Sequence, residues 1–375
     1  MINVFEPALR AEELEAVKKV FESNWVGKGR LTDQFESEFA AYLGVERNLI
    51  RSVSCCTEGL FQAIAMLGAG PGDEVILPTI SFVGAANAIA AHGARPVFCD
   101  VDGRTLNPTA ELIERKITPK TKAVMILHYG GVPCEMDAIG ALVRDRGLSL
   151  VEDNACSVAS RYRGKACGTF GDFSSWSFDA MKILVTGDGG MIYCKNPEQA
   201  QQAEELVYLG LLTKSGFSTS NEGRWWEFEI GSFGRRAIMN DIASAIGLEQ
   251  LKKLAGFIAR RREIHEAYDR LLFGLDWLQI PPEIPPFSES SYYFYWLQMA
   301  PGTRDRLAKY LRENDIYTTF RYYPLHWVKG YGSAEVLPSA EKSAHETLCI
   351  PMHQSLTDEQ VAKICESVKA FGKLL

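Results

Sequence analysis

Between Leu49 and Cys194, short apolar runs alternate with helical patterns, and this alternation narrows the possible folds more than any other feature of the chain. Seven strand candidates stand there: Leu49 to Val53, Glu74 to Pro78, Pro96 to Asp100, Ala123 to His128, Ser149 to Glu152, Phe173 to Phe178 and Gly190 to Cys194. Helical patterns fill gaps at Glu58 to Leu67, Val83 to His92, Thr109 to Lys116 and Met136 to Arg146. Such a succession predicts an α/β fold, a mostly parallel seven-stranded sheet sandwiched by helices, because parallel neighbours need a crossover that covers one face. The last two candidates have no such crossover between them, so one edge or insertion is expected to run antiparallel.

The flanks read differently. Residues 8 to 22 place Leu9, Leu14, Val17, Val20 and Phe21 on one helical face, and a second helix carries Phe35, Phe39 and Leu43. A long amphipathic helix from Asp241 through Arg262 precedes a break at Pro281, Pro282, Pro285 and Pro286. A strand at 292 to 299, a helix from Gly302 to Asn314, a strand or turn from Tyr317 to Pro324 and a closing helix from Asp358 to Phe371 follow. The expected division is a large domain over 1–250 and a smaller α+β domain over 251–375, and 375 residues at 46% hydrophobic suffice for both cores. A net charge of -7 without a Lys/Arg block argues against nucleic acid. Neither a signal peptide nor an apolar run of membrane-spanning length stands out, which predicts a cytoplasmic protein without a membrane partner. Nine cysteines, an odd number without C-x-x-C or zinc-like spacing, read as reduced thiols and offer no metal site.

In open sheets of this kind, ligands bind beyond the carboxyl ends of the strands. Ser54 to Glu58 follows the first strand and opens a helix, where free N–H groups and the positive dipole end favour a phosphate. Ser81 and Phe82 follow the second strand, Asp153 ends the fifth, and Ser177 and Lys182 lie at or beyond the end of the sixth. Most lysines are simply solvated, with the stem lying on apolar surface. Lys182 differs in its setting, a segment of aromatic, small and apolar residues followed by Gly187, Gly189 and Gly190. An anion cradle, an aromatic, a carboxylate and a lysine at one rim are what pyridoxal 5'-phosphate (PLP) chemistry requires. The lysine forms the Schiff base, the acid keeps the pyridine nitrogen protonated so that the ring drains a carbanion, and the freed amine moves a proton between carbons.

The chain resembles the DegT/DnrJ/EryC1/StrS family of sugar aminotransferases, within the fold-type I, aspartate aminotransferase-like PLP enzymes. The resemblance runs nearly end to end, through GPGDEVILPTISFVGAANAI at 70–89, ARPVFCDVDGRTLN at 94–107, VEDNA at 151–155, GDFSSWSFDAMKILVTGDGG at 171–190, NDIASAIGLEQL at 240–251 and YPLH at 323–326. It implies that Lys182 bonds the cofactor, Asp153 the pyridine nitrogen, and that Phe82 stacks on the ring. It also implies that Thr57, Glu58 through its backbone N–H, and Ser177 receive the phosphate. Three positions depart from the family pattern. Cys156 stands where Gln or His usually contacts the cofactor hydroxyl, so a neighbour has to supply that hydrogen bond. Cys56 stands where glycine is common, which bears on the shape of the loop. Arg236 stands where an asparagine reaches the phosphate of the partner subunit; a guanidinium suits that task, and a homodimer with shared active sites is expected. Relatives that remove a sugar hydroxyl carry histidine at the lysine position, so Lys182 favours transamination.

The reaction implied is transfer of an amino group, most often from L-glutamate, to a keto sugar carried by a nucleoside diphosphate, with a free keto-cyclitol as the nearest rival substrate. Arg321 and His326 of TTFRYYPLH are substrate-binding candidates, His326 being equally a satisfied histidine at a domain junction. Lys28 in the Gly27–Arg30 loop is a third candidate, with a plain inter-helix turn as the alternative. Trp225 and Trp226, in a loop-rich insertion from Tyr208 to Glu229, suit sugar stacking, packing or a dimer contact alike. A non-catalytic regulator and a nucleotide-dependent oxidoreductase fit less well, the latter because no G-x-G-x-x-G opens the first helix after Val53.

Overall fold

The computed structural model describes residues 1–212 and 228–375. All seven strand candidates join one sheet: β1 (Ile50–Val53), β2 (Glu74–Pro78), β3 (Arg95–Cys99), β4 (Thr121–Leu127), β5 (Ser149–Asp153), β6 (Phe173–Ser177) and β7 (Gly190–Cys194), in the order β1-β7-β6-β5-β4-β2-β3. From β3 across to β6 every pairing is parallel, whereas β7 is antiparallel to both β6 and β1. The reversed strand is therefore second from the edge. The segment from Phe178 to Gly189 is too short to carry the chain across a face, so it turns back beside β6.

Helices α1 (Ala11–Glu22), α2 (Arg30–Leu43), α3 (Cys56–Met66), α4 (Val83–Ala91), α5 (Ala110–Glu114), α6 (Met136–Asp145) and α7 (Pro197–Val207) accompany this sheet. β1, β2, β6 and β7 are buried along their whole length, as expected for strands covered on both faces. The main core has two sides. Phe35 and Phe39 of α2 meet Phe178 and Trp176 on one, while Ile76, Val124 and Ile126 meet Ile139 and Val143 of α6 on the other. At the N-terminus of α2 the Asp241 carboxylate accepts the N–H groups of Gly29, Leu31 and Thr32. One buried side chain thus satisfies donors that the helix leaves open.

α8 (Asp241–Leu272) is longer than the pattern predicted and runs for 32 residues, about 48 Å at 1.5 Å per residue. Leu248 and Leu254 pack in the main core, and Ile264, Tyr268 and Leu272 pack in a second one. The expected division at 250/251 lies inside this continuous helix. The second core also holds Ile2, so the first residues return to the C-terminal part through a bridge to Ile316. Around it stand β8 (Tyr295–Met299), β9 (Thr347–Ile350), a short strand at Leu278–Gln279, and helices α9 (Thr303–Glu313), α10 (Pro338–Glu346) and α11 (Asp358–Gly372). No helix among the described residues is long and apolar enough to cross a membrane. All nine cysteines are free thiols, eight of them buried.

Candidate active site

Three strand ends and one helix start meet at the carboxyl edge of the sheet. β6 ends in Ser177, and the chain then loops through Lys182 before Gly190 opens β7. The loop is tied to itself by Lys182 N–H to Asp179 O at 2.9 Å and Thr186 N–H to Phe178 O at 2.8 Å. Ile183, Leu184 and Val185 are buried and anchor it, while Lys182 extends the other way. Its Nζ donates to the Tyr293 hydroxyl at 3.3 Å and lies 5.0 Å from the centre of that ring. Burial opposes the ammonium, but the Tyr293, Cys156, Cys56 and Asp153 side chains facing it outweigh this and hold the amine above the ordinary lysine value.

Asp153 closes β5 and is buried. Its Oδ1 accepts the Ala155 N–H at 3.0 Å and faces the Cys56 thiol at 3.9 Å. Burial raises its pKa, and the Ala155 N–H and the Lys182 charge only partly counter that. A buried carboxyl in this state gains from a cationic partner, and a protonated pyridine nitrogen is one.

After β1 the chain enters α3 at Cys56, with Cys55 in extended conformation as its N-cap and no side chain capping the first turn. The N–H groups of that turn are left for a ligand. Two glycines hold this helix start against the sheet. A Cβ on Gly59 would lie 2.3 Å from Ser175 Oγ, and one on Gly190 would lie 2.8 Å from the Cys56 nitrogen. Cys56 does not disturb the loop: its thiol turns inward to the Ser175 carbonyl at 3.5 Å. Thr57 and Glu58 are half-buried in the first turn, where Glu58 pairs with Arg235 at 3.0 Å.

The other candidates separate into two groups. Phe82 caps α4 with its ring 46% exposed and 6.0 Å from the Tyr322 ring. Cys156 is buried, and its thiol lies 3.7 Å from the Tyr322 hydroxyl. Burial pushes that thiol up to about 11, so it stays neutral. Arg321 stacks on Phe5 at 4.9 Å and reaches the sulfur of Met181, next to Lys182, at 3.4 Å. Asp153 and Cys156 thus face Lys182, and Arg321 stands beside its neighbour Met181. Lys28 pairs with Glu36 at 3.6 Å and Glu204 at 3.7 Å, and Glu36 in turn accepts the Ser52 N–H of β1. His326 is buried with Nδ1 2.7 Å from Thr79 Oγ1 and Nε2 3.2 Å from Glu341, at the junction with α10. Arg236 is exposed and lies over the Tyr208 ring at 5.2 Å, while its neighbour Arg235 serves α3. Trp225 and Trp226 lie outside the described residues.

Tyr293 and Tyr322 are the site residues that sequence reasoning missed. Both belong to segments noted for other reasons, a strand and a cluster valued for Arg321 and His326. Only the tertiary fold turns their hydroxyls toward Lys182 and Cys156.

The pattern of the DegT/DnrJ/EryC1/StrS aminotransferase family matches residues 7–369. The chain belongs to this family. Among its relatives, the dTDP-4-dehydro-2,3,6-trideoxy-D-glucose 4-aminotransferase of Saccharopolyspora spinosa is 52% identical over 98% of this chain and 95% of that one. The GDP-perosamine synthase of Escherichia coli O157:H7 is 35% identical over 99% and 98%. Among solved structures, the aminotransferase TlmJ of Streptoalloteichus hindustanus superposes with a TM-score of 0.96 at 55% identity, covering 100% of this chain and 99% of that one. Spr1654 of Streptococcus pneumoniae in its PMP form superposes at 0.93 and 25% identity, each chain covered in full. The chain is an aminotransferase of the PLP-dependent kind, and the donor set at the rim fits that cofactor. It offers an amine, a buried carboxyl, an uncapped helix start and an exposed aromatic ring.

Proposed function

We propose that this aminotransferase carries an amino group from L-glutamate to a keto-deoxysugar linked to a nucleoside diphosphate. The observation that carries the reading is the shared rim of the Lys182 amine, the Asp153 carboxyl and the open first turn of α3. In this reading Thr57, Glu58 and Ser177 hold the phosphate of PLP, Phe82 covers the ring face, and Asp153 receives the ring N–H. The Tyr322 hydroxyl, set against Cys156, takes the place of the Gln or His side chain usual in the family. Bound PLP supplies an electron sink and a carrier for the amino group. Lys182 moves the proton between substrate and cofactor carbons, and Arg321 at the mouth binds an anionic part of the substrate. A dTDP-linked 4-keto-deoxyhexose is favoured over a free keto-cyclitol by the likeness to the S. spinosa enzyme, whose name specifies such a substrate.

The enzyme acts as a homodimer in this reading. Phe233 is 96% exposed, Phe228, Ile230, Leu209 and Leu212 are exposed as well, and Arg236 on the same segment is exposed over the Tyr208 ring. An apolar patch of this kind is covered by the second copy, and Arg236 completes the partner's phosphate site. Free thiols throughout suit the reducing cytoplasm.

The test is the absorbance of the purified protein with PLP, before and after L-glutamate, for wild type and Lys182→Ala. Wild type is expected to lose the long-wavelength band of lysine-bound cofactor on adding glutamate and then to aminate a dTDP-4-keto-deoxyhexose. Lys182→Ala is expected to do neither. A wild-type protein that never shows the band refutes the reading.

A further inference from the structure

Tyr293 is fully buried, and its hydroxyl lies 3.3 Å from Lys182 Nζ and 3.3 Å from the Met181 carbonyl oxygen. Its O–H donates to that carbonyl, which leaves the oxygen as an acceptor for the Lys182 amine. An acceptor serves both states of a lysine that shuttles protons, because amine and ammonium alike keep N–H groups to donate. The ring itself is immobilised. Phe5 stacks on it at 5.5 Å and 21°, Phe294 lies 4.5 Å away, and the Tyr293 N–H donates to Gly130 O at 2.8 Å.

Behind it lies Arg261, a buried guanidinium on α8. It donates to the Tyr292 carbonyl at 3.0 Å and, through Nε, to Gln354 at 2.9 Å. Gln354 donates in turn to the carbonyl of Ile183, the residue after Lys182, at 3.3 Å. One buried side chain therefore braces both the segment that presents the acceptor and the loop that presents the lysine.

We propose that Tyr293 is a positioning residue that receives the Lys182 amine whenever it is not bonded to cofactor, and so holds it over the carbons between which it moves the proton. The proposal rests on the aminotransferase reading above. In the reaction assigned above, Lys182 Nζ would take a proton from the amino donor and hold it for return, while bound PLP would supply the sink for the electron pair left behind. Without an acceptor, the four-carbon stem of lysine samples many rotamers and the amine spends less time in line. Other groups facing the amine are Cys56 of α3, Asp153 of β5 and Cys156 beyond it, while Arg321 and Arg261 face the Tyr293 hydroxyl.

Tyr293→Phe keeps the ring and its stacking and removes only the acceptor. In protein loaded with pyridoxamine phosphate the lysine is free, and its labelling by trinitrobenzenesulfonate at pH 9, read on the Lys182 peptide by mass spectrometry, follows the deprotonated fraction. Losing one hydrogen bond to a charged group is expected to raise that rate about tenfold in Y293F. Tyr268→Phe removes a buried hydroxyl in the second core, where it donates to the Pro351 carbonyl at 2.8 Å, and is expected to label at the wild-type rate. Tyr293→His restores an acceptor on a smaller ring and is expected to recover at least half of the change. In single turnovers with α-deuterated glutamate, the isotope effect should rise in Y293F while KM for glutamate stays within about twofold. Equal labelling of Y293F and wild type overturns the proposal whatever the turnover shows, and so does a Y293H rate equal to that of Y293F. A wild type that labels as expected yet never converts glutamate instead refutes the reaction assigned above.

Discussion

Gly190→Ala tests whether the first turn of α3 holds the cofactor phosphate. A Cβ at this position would lie 2.7 Å from the Trp176 carbonyl oxygen, 2.8 Å from the Cys56 nitrogen and 2.9 Å from the Cys55 carbonyl carbon. All three are backbone atoms, so no side chain can swing aside. Ordinary contact begins near 3.4 Å, and the helix start therefore has to recede from the sheet by about 0.6 Å. Overpacking of this kind costs about 1–3 kcal/mol and lowers the melting temperature. The same movement lengthens the N–H contacts to the phosphate. Charge-assisted bonds are worth about 1.5–3 kcal/mol each, so giving up about half of one weakens PLP binding roughly four- to twelvefold. The assay is PLP titration followed by absorbance, beside Ile364→Val, a core truncation in the second core that destabilises by about 1 kcal/mol far from α3. The expected result is weaker PLP binding in Gly190→Ala alone. A Gly190→Ala protein that melts lower but binds PLP as wild type does would refute the assignment of the phosphate to this helix.

His353 is buried, and burial, reinforced by the Arg261 charge and only partly countered by a contact with the Asn3 backbone, pulls its pKa down to about 4. Its folded value lies below the ordinary 6.5, so its contribution to stability is complete above pH 6.5 and disappears as pH falls toward 4. That amounts to about 3 kcal/mol, and melting curves from pH 7 to pH 4.5 should show a decline that His353→Phe flattens. Arg236→Ala should weaken PLP binding with the dimer intact, whereas Phe233→Glu should shift sedimentation toward the monomer. Equal PLP affinity in Arg236→Ala and wild type would remove Arg236 from the phosphate site.

The large sheet was legible because most of its strands are short apolar runs, and the alternating FSSWS of β6 reads as a strand as well, each bounded by turns or helical patterns. Its one reversed strand was legible as well, from the short connection between Phe173–Phe178 and Gly190–Cys194. The position of that strand inside the sheet was not, since register and order follow from pairing across distant segments. Short pieces escaped notice for a different reason. The hairpin at Arg161–Tyr162 and Lys165–Ala166 pairs with Ser288–Glu289 over two residues each, too few for a period to show. The placement of Asp153 and Ser177 at strand ends, with Lys182 in the loop beyond, was readable because strand boundaries fix it. His326 and Lys28 carried the right chemistry, but their partners Thr79, Glu341, Glu36 and Glu204 lie far off along the chain. Tyr293 looked like any strand aromatic, and its role depends on a hydroxyl direction that spacing does not encode.

The reversed strand also sets a timetable. β1 hydrogen-bonds to β7 alone, so the first strand to leave the ribosome waits unpaired while β2 to β6 are synthesised. Until Gly190 arrives, α3 lacks the surface against which its first turn is held. Lys182 is translated just before that point, and Tyr293, which faces it, about a hundred residues after it. On a nascent chain the sheet is thus closed only when β7 is made, and the residues that face Lys182 from the C-terminal part follow later still.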